Sequence, residues 1–141
     1  INLGTTLATN ALLERKGHRN AVLFTTGFED LLRIKNQTRP DIFDLACDIP
    51  EPLHTSVFGV KERVYLHEYT GCEALETTDK SIVYVKRPDE LQLKSISEQI
   101  RQQGITSVAI AFANSYLYPD NELFVKDFFL REGFQQVYVS C

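Results

Sequence analysis

The sequence predicts an α/β fold, a sheet flanked by helices, and three features carry that expectation. The last third alternates helix, strand, helix and strand. "ITSVAIAF" (105–112) is a continuous apolar run of the kind found in strands covered on both faces. Glycines stand where successive helices should stop. The alternation implies a β-α-β crossover between parallel strands. A length of 141 residues fits one domain.

Taken in order, residues 6–16 read as a short helix with Leu7, Ala8, Ala11 and Leu12 on its apolar face. Thr5 or Thr6 can cap its start, and Gly17 stands where a C′ glycine would end it. Residues 20–25 read as a buried strand. Thr26 and Glu29 form a capping-box pair that opens a helix with Phe28, Leu31 and Leu32 facing inward. Residues 36–52 hold three prolines and four acids and show no long periodicity. They read as a loop with one helical turn at 41–45, and loops of that length inside compact domains tend to be functional. Residues 57–66 read as one strand with Phe58, Val60, Val64 and Leu66 on a single face. A polar, acidic surface excursion follows, then a short strand at 82–85. Pro88 and Asp89 open a helix carrying Leu93, Ile96 and Ile100, closed by Gly104. Pro119 starts another, with Phe124, Val125, Phe128 and Phe129 inward and Gly133 at its end. "QQVYV" (135–139) is the last strand.

Composition narrows the class. The net charge is −4 and no stripe of Lys and Arg appears, which argues against nucleic acid as a partner. No run approaches the roughly 18 apolar residues of a membrane span. Cys47, Cys72 and Cys141 are odd in number, far apart and without a C-x-x-C pair. That disfavours a disulfide framework and a zinc site and suits a reducing compartment. His18, His54 and His67 are equally scattered. His67-Glu68 begins like a zincin motif, but Gly71 stands where the second His belongs, so no metal is expected on His or Cys. The chain contains no Met and begins on Ile1, the pattern expected of a fragment.

Three segments carry groups suited to chemistry. Gly4, Thr5 and Thr6 stand at a helix mouth, where unpaired N–H groups and the dipole favour phosphate; ordinary helix capping explains the same three residues. In "NQTRPDIFDL" (36–45), Arg39 precedes Pro40, so its backbone is biased to extended geometry and its guanidinium fork suits a carboxylate or phosphate. Asp41 and Asp44 share a face if the turn is helical and could hold Mg²⁺ or steer a water, or simply belong to a solvated loop. "NSYLYPDNE" (114–122) follows a buried strand, at the end where α/β sheets gather ligands, and reads equally as a plain strand-to-helix turn.

Together, "GTTLATNALLERKG", "GFEDLLRI", "QTRPDIFDL", "VKERV", "NSYLYPDNE" and "REGF" resemble, in that order, the N-terminal region of the hydantoinase/oxoprolinase family, in particular its ATP-dependent 5-oxoprolinase branch. The resemblance spans essentially the whole chain. It implies an actin-like ATPase (ribonuclease H-like) domain, present here in part. The implied activity is opening of 5-oxo-L-proline to L-glutamate in the cytosol during glutathione turnover, with ATP cleaved to ADP and phosphate. Mg²⁺ is implied as cofactor and K⁺ as an aid, and a homodimer as the full-length state. By resemblance, Gly4, Thr5, Thr6 and Asn10 lie on the nucleotide side. Gln37, Arg39, Asp41 and Asp44 form the substrate-side loop, with Arg39 facing the substrate carboxylate. The resemblance assigns no catalytic base; Asp41 and Asp44 stay the candidates, for catalysis and for Mg²⁺, that the residues themselves offer. The family's Asp-x-Gly-Gly-Thr phosphate hairpin, which precedes the Gly-Thr-Thr segment, has no counterpart in residues 1–141. The chain is therefore expected to be a fragment of the N-terminal domain, inactive alone. The open alternatives are an N-methylhydantoinase or acetone-carboxylase-type subunit, and a non-catalytic α/β interaction module.

Overall fold

The computed structural model of the chain describes residues 5–35, 43, 51–66 and 83–141. The chain divides into two compact units, one formed by 1–18 with 30–53 and the other by 19–29 with 54–141.

In the first unit, α1 spans Thr5–Leu13. Its end differs from expectation. Arg15, with φ of 53°, takes the left-handed position assigned above to Gly17. Arg15 N donates to Leu12 O (3.3 Å) and Lys16 N to Ala11 O (2.9 Å), the paired bonds of a Schellman stop. Leu12 is exposed rather than inward, and the side chains of Leu7 and Ala8 lie outside the described ones. A second helix, α2, is a single turn, Leu31–Ile34, with no buried residue.

The capping box expected at Thr26 and Glu29 does not form. Thr26 N is taken by Val60 O (2.9 Å), and the Glu29 carboxylate accepts from Gly27 N (2.7 Å). Gly27 has φ of 96° and Phe28 N donates to Thr25 O (3.0 Å), so residues 25–28 make a tight turn and not a helix start. Phe28 points outward, beneath the Arg63 guanidinium at 5.5 Å, and Leu31 and Leu32 are exposed too.

The second unit is built on a parallel sheet of β1 (Asn20–Thr25), β2 (Ser56–Val60), β5 (Ser107–Ala111) and β6 (Gln136–Val139), in the order β2-β1-β5-β6. Register places Ala21, Val108 and Val137 in one lateral row and Phe58, Leu23, Ile110 and Val139 in the next. Since strand side chains alternate, these rows share a face. Leu93, Ile96 and Ile100 of α3 (Glu90–Gln102) and Val125, Phe128 and Phe129 of α4 (Asp120–Arg131) complete one core with them. β5 alternates between buried and half-buried residues, so it is not a strand sealed on both faces. Phe124 likewise departs from the inward set: it is 38% exposed, one position off the buried stripe of α4.

Both long helices stop as the sequence implies. Gly104 and Gly133 are left-handed, and Ile105 N and Phe134 N donate back to Ile100 O and Phe129 O. Asp89 caps α3 by accepting from Leu91 N (3.2 Å). β5, α4 and β6 form the expected parallel crossover, and the architecture is α/β with helices flanking a parallel sheet. Among the described residues no helix is long and apolar enough to cross a membrane.

The expected strand over 57–66 is instead two strands in two sheets. β3 (Arg63–Leu66) leaves the parallel sheet to pair antiparallel with β4 (Val83–Lys86). The switch occurs at Lys61 and Glu62, whose N–H groups are satisfied off the ladder. Lys61 N donates to Gln92 Oε1 (2.9 Å), and Glu62 N turns back to Val60 O (2.8 Å). Nearby, Gly59 lies directly beneath the Glu29 carboxylate, and a Cβ there would push that side chain aside.

Candidate functional site

Of the residues singled out from sequence, Gly4, Gln37, Arg39, Asp41 and Asp44 lie outside the described residues, as do the excursion at 67–81 and the first residue of the strand expected at 82–85. Thr5 begins α1. Thr6 and Asn10 are exposed, and their spacing of four puts them on one stripe of that helix.

A polar site sits at the carboxyl ends of the parallel strands; it takes Asn121 and Glu122 from the 114–122 segment singled out above, together with Thr25 and Glu62, which the sequence reading missed. Thr25 ends β1, Glu62 follows β2, and Asn121 and Glu122 open α4; all four are buried. Thr25 Oγ1 donates to Glu62 Oε1 and accepts from Ala113 N at 2.9 Å. Asn121 Nδ2 donates to Glu62 Oε2 (2.8 Å) and to Lys86 O (3.1 Å). Four donors converge on Glu122. Phe112 N (2.7 Å) and the Ser140 hydroxyl (2.7 Å) reach Oε1, while Ser140 N (2.9 Å) and Cys141 N (3.1 Å) reach Oε2. Because the Ser140 proton goes to Glu122, Ser115 is the donor in the 3.2 Å contact between the two serine hydroxyls. Buried polar groups are thus paired across the ends of the four parallel strands, as burial demands.

A signal for this site was present. Glu62 falls on the parity of Phe58, Val60 and Val64, an acid on an apolar face. Asn121 and Glu122 stand four and three residues before Val125, on the inward stripe of α4. A charged or amide side chain at a core position must bring its partners with it.

Beside the network lies a cleft of about 430 Å³, whose lining includes Arg87, Glu90, Tyr118, Asp120, Asn121 and Phe124. Asn121 belongs to both. The cleft is of a size that holds a small molecule, and Arg87, Tyr118 and Asp120 supply it with donors and acceptors. Burial, then the adjacent Asp120 carboxylate, push the Tyr118 hydroxyl above the usual tyrosine range, so it acts there as a neutral donor. Among the described residues no cluster of three or more His, Cys, Asp or Glu is placed to hold a metal ion.

Burial raises the Glu62 pKa above its ordinary 4.5, against the opposing bonds from Thr25 and Asn121 and the nearby Arg63 charge; the Glu122 carboxylate adds to the rise. The consequence for stability has a definite sign. Between the unfolded value and the higher folded one, the folded chain binds more protons than the unfolded chain, so stability falls as pH rises through that window. Urea denaturation at a series of pH values from 4.5 upward should show this decline in wild type and a flatter profile in Glu62→Gln. Parallel profiles would contradict the assignment.

A profile of the hydantoinase/oxoprolinase N-terminal region matches residues 1–133. Over 99% of its length the chain is similar to 5-oxoprolinase 1 of Arabidopsis thaliana (41% identity) and to 5-oxoprolinase of Saccharomyces cerevisiae (40%). It spans about 12% of the length of each of these relatives. Among solved structures it is similar to the ATP-dependent caprolactamase from Pseudomonas jessenii, with a TM-score of 0.65 and 25% identity, over 96% of this chain and 18% of that one. Nucleotide-free acetone carboxylase gives a TM-score of 0.61 at 21% identity, over 93% and 19% respectively, a likeness of fold.

Proposed function

The chain belongs to the hydantoinase/oxoprolinase family through its N-terminal region, and from that premise we propose that it forms part of an ATP-dependent enzyme that opens 5-oxo-L-proline to L-glutamate. The supporting observation is the 41% identity to a 5-oxoprolinase sustained over 99% of the chain. A lactam carbonyl is a poor electrophile. Transfer of the γ-phosphoryl group of ATP to its oxygen lets water add at the carbon. Expulsion of the ring nitrogen as an amine opens the ring, and a second water releases phosphate.

In this reading Gly4, Thr5, Thr6 and Asn10 lie on the nucleotide side, with N–H groups at the α1 mouth suited to phosphate. Asp41 and Asp44 hold Mg²⁺, with K⁺ assisting. Gln37 and Arg39 meet the substrate, the Arg39 fork taking the 5-oxoproline carboxylate through two parallel bonds. The whole enzyme works as a cytosolic homodimer and contributes to glutathione turnover.

The test uses a protein of the relatives' full length carrying this region, assayed for ATP hydrolysis dependent on 5-oxoproline, hydantoin, caprolactam, or acetone with bicarbonate. Turnover driven by 5-oxoproline supports the proposal; turnover driven only by another of these overturns the substrate assignment. Arg39→Lys should raise KM for 5-oxoproline about tenfold, the worth of one lost charge-assisted bond, and leave KM for ATP unchanged. An unaltered KM for 5-oxoproline would remove Arg39 from the substrate loop.

A further inference from the structure

We infer that Thr25 and Glu62 are positioning residues for the Ala113–Tyr116 turn, and that this turn forms one wall of the substrate crevice; the inference rests on the reading of the region as part of a lactam-opening, ATP-cleaving enzyme. The chain leaving β1 leads to β2 on one side, and the chain leaving β5 leads through α4 to β6 on the other. The gap between the carboxyl ends of β1 and β5 is therefore the switch point of the sheet, the place where open α/β sheets take ligands.

The turn after β5 lies at that gap and is held from three elements. Ala113 N donates to Thr25 Oγ1 at the end of β1 (2.9 Å). Asn114 Nδ2 donates to Val64 O on β3 (2.8 Å). Ser115 Oγ meets Ser140 Oγ beyond β6 (3.2 Å). Asn114 has φ of 63°, a left-handed conformation that Asn adopts more readily than most residues with a side chain, and its amide ties it to β3. Within the turn Ser115 is buried and Ala113 and Asn114 are half-buried, while Tyr116 at its tip is 78% exposed. A turn at a sheet's switch point, anchored at its base and exposed at its tip, has the form of a ligand-facing loop.

Glu62 acts on the turn through Thr25. By accepting the Thr25 proton it leaves a lone pair of Oγ1 for the Ala113 N–H, and Asn121 on its other oxygen keeps the carboxylate from rotating away. Thr25→Val keeps the shape of the side chain and removes the hydroxyl; Thr25→Ser restores it. Glu62→Gln replaces one carboxylate oxygen with an NH2 donor, so the side chain can no longer accept from both Thr25 Oγ1 and Asn121 Nδ2, and the brace on Thr25 loosens.

The test reads hydrogen exchange and turnover side by side in the full-length protein. In Thr25→Val, amide exchange over 113–116 should quicken at least about tenfold while 107–110 stays as in wild type. The kcat for lactam-dependent ATP hydrolysis should fall at least about tenfold with KM for ATP within about twofold, the scale of a small misplacement at a reacting centre. Thr25→Ser should return both readouts to within about threefold of wild type, and Glu62→Gln should move both by at least about threefold. Unchanged exchange at 113–116 overturns the inference, as does quickened exchange with wild-type kcat. If Thr25→Val does not fold, Glu62→Gln against Thr25→Ser decides by the same criteria. A wild type that turns over another lactam but not 5-oxoproline refutes the proposed substrate and leaves this inference to be read on that lactam; a wild type with no amide-dependent turnover overturns both.

Discussion

Glu122→Ala should lower the stability of the sheet unit by about 3–5 kcal/mol, because it orphans several buried donors at once. Glu122 is fully buried, and its two oxygens accept from Phe112 N, Ser140 N, Cys141 N and the Ser140 hydroxyl. Alanine leaves all four donors in place with nothing to receive them, and each buried orphan costs about 1–3 kcal/mol before relaxation or entering water recovers part of it. These bonds tie the ends of β5 and β6 to the first turn of α4, so the loss should appear as early exchange at 112 and 140 as well as a lower denaturation midpoint. Glu122→Gln tests geometry apart from volume. Its amide nitrogen must face N–H donors, so it should lose about 2 kcal/mol despite nearly equal size. A loss under about 1 kcal/mol for Glu122→Ala would mean that the carboxylate does not hold the strand ends.

Phe129→Ala should cost about 3–5 kcal/mol, the range for truncating a buried aromatic residue in a packed core. Phe129 is fully buried, and its ring meets Phe128 at 5.6 Å and Phe134 at 5.0 Å, both edge-on. The Phe134 contact also joins the last turn of α4 to the residue after Gly133, the hydrophobic clasp that accompanies a Schellman stop. The substitution therefore opens a cavity and loosens the helix end together. Phe129→Leu, which fills most of the space, should lose clearly less in the same urea titration. Equal losses for the two would show that packing at this position does not set the stability of the unit.

Much of the scaffold was legible without coordinates. Leu93, Ile96 and Ile100 recur at helical spacing and are buried; Gly104 and Gly133 stop their helices in the left-handed conformation. The β5-α4-β6 crossover followed from alternation alone. These are local properties, in which side-chain period and backbone freedom act within a few residues of one another. The misreadings share a different cause. At Thr26–Glu29 the capping pattern was present, but Val60 O, distant in sequence, took the Thr26 N–H. Arg15 replaced Gly17 because the helix stopped a turn early, which periodicity of exposed residues does not fix. The single strand drawn through Glu62 broke because that carboxylate is matched to Thr25 and Asn121.

By itself, then, the sequence determined the α/β class, the stops of the two long helices, the core stripe of α3 and most of that of α4, and the family resemblance that the profile over residues 1–133 bears out. Tertiary structure alone decided which polar side chains meet. Thr25, Glu62 and Asn121 come from three separate segments, and nothing near any one of them in the chain announces the other two. Hydrophobic patterning is written into local periodicity because it needs only an inside and an outside. A buried hydrogen bond needs a particular partner, and where residues 25, 62 and 121 come together was settled only when β1, β2 and α4 packed.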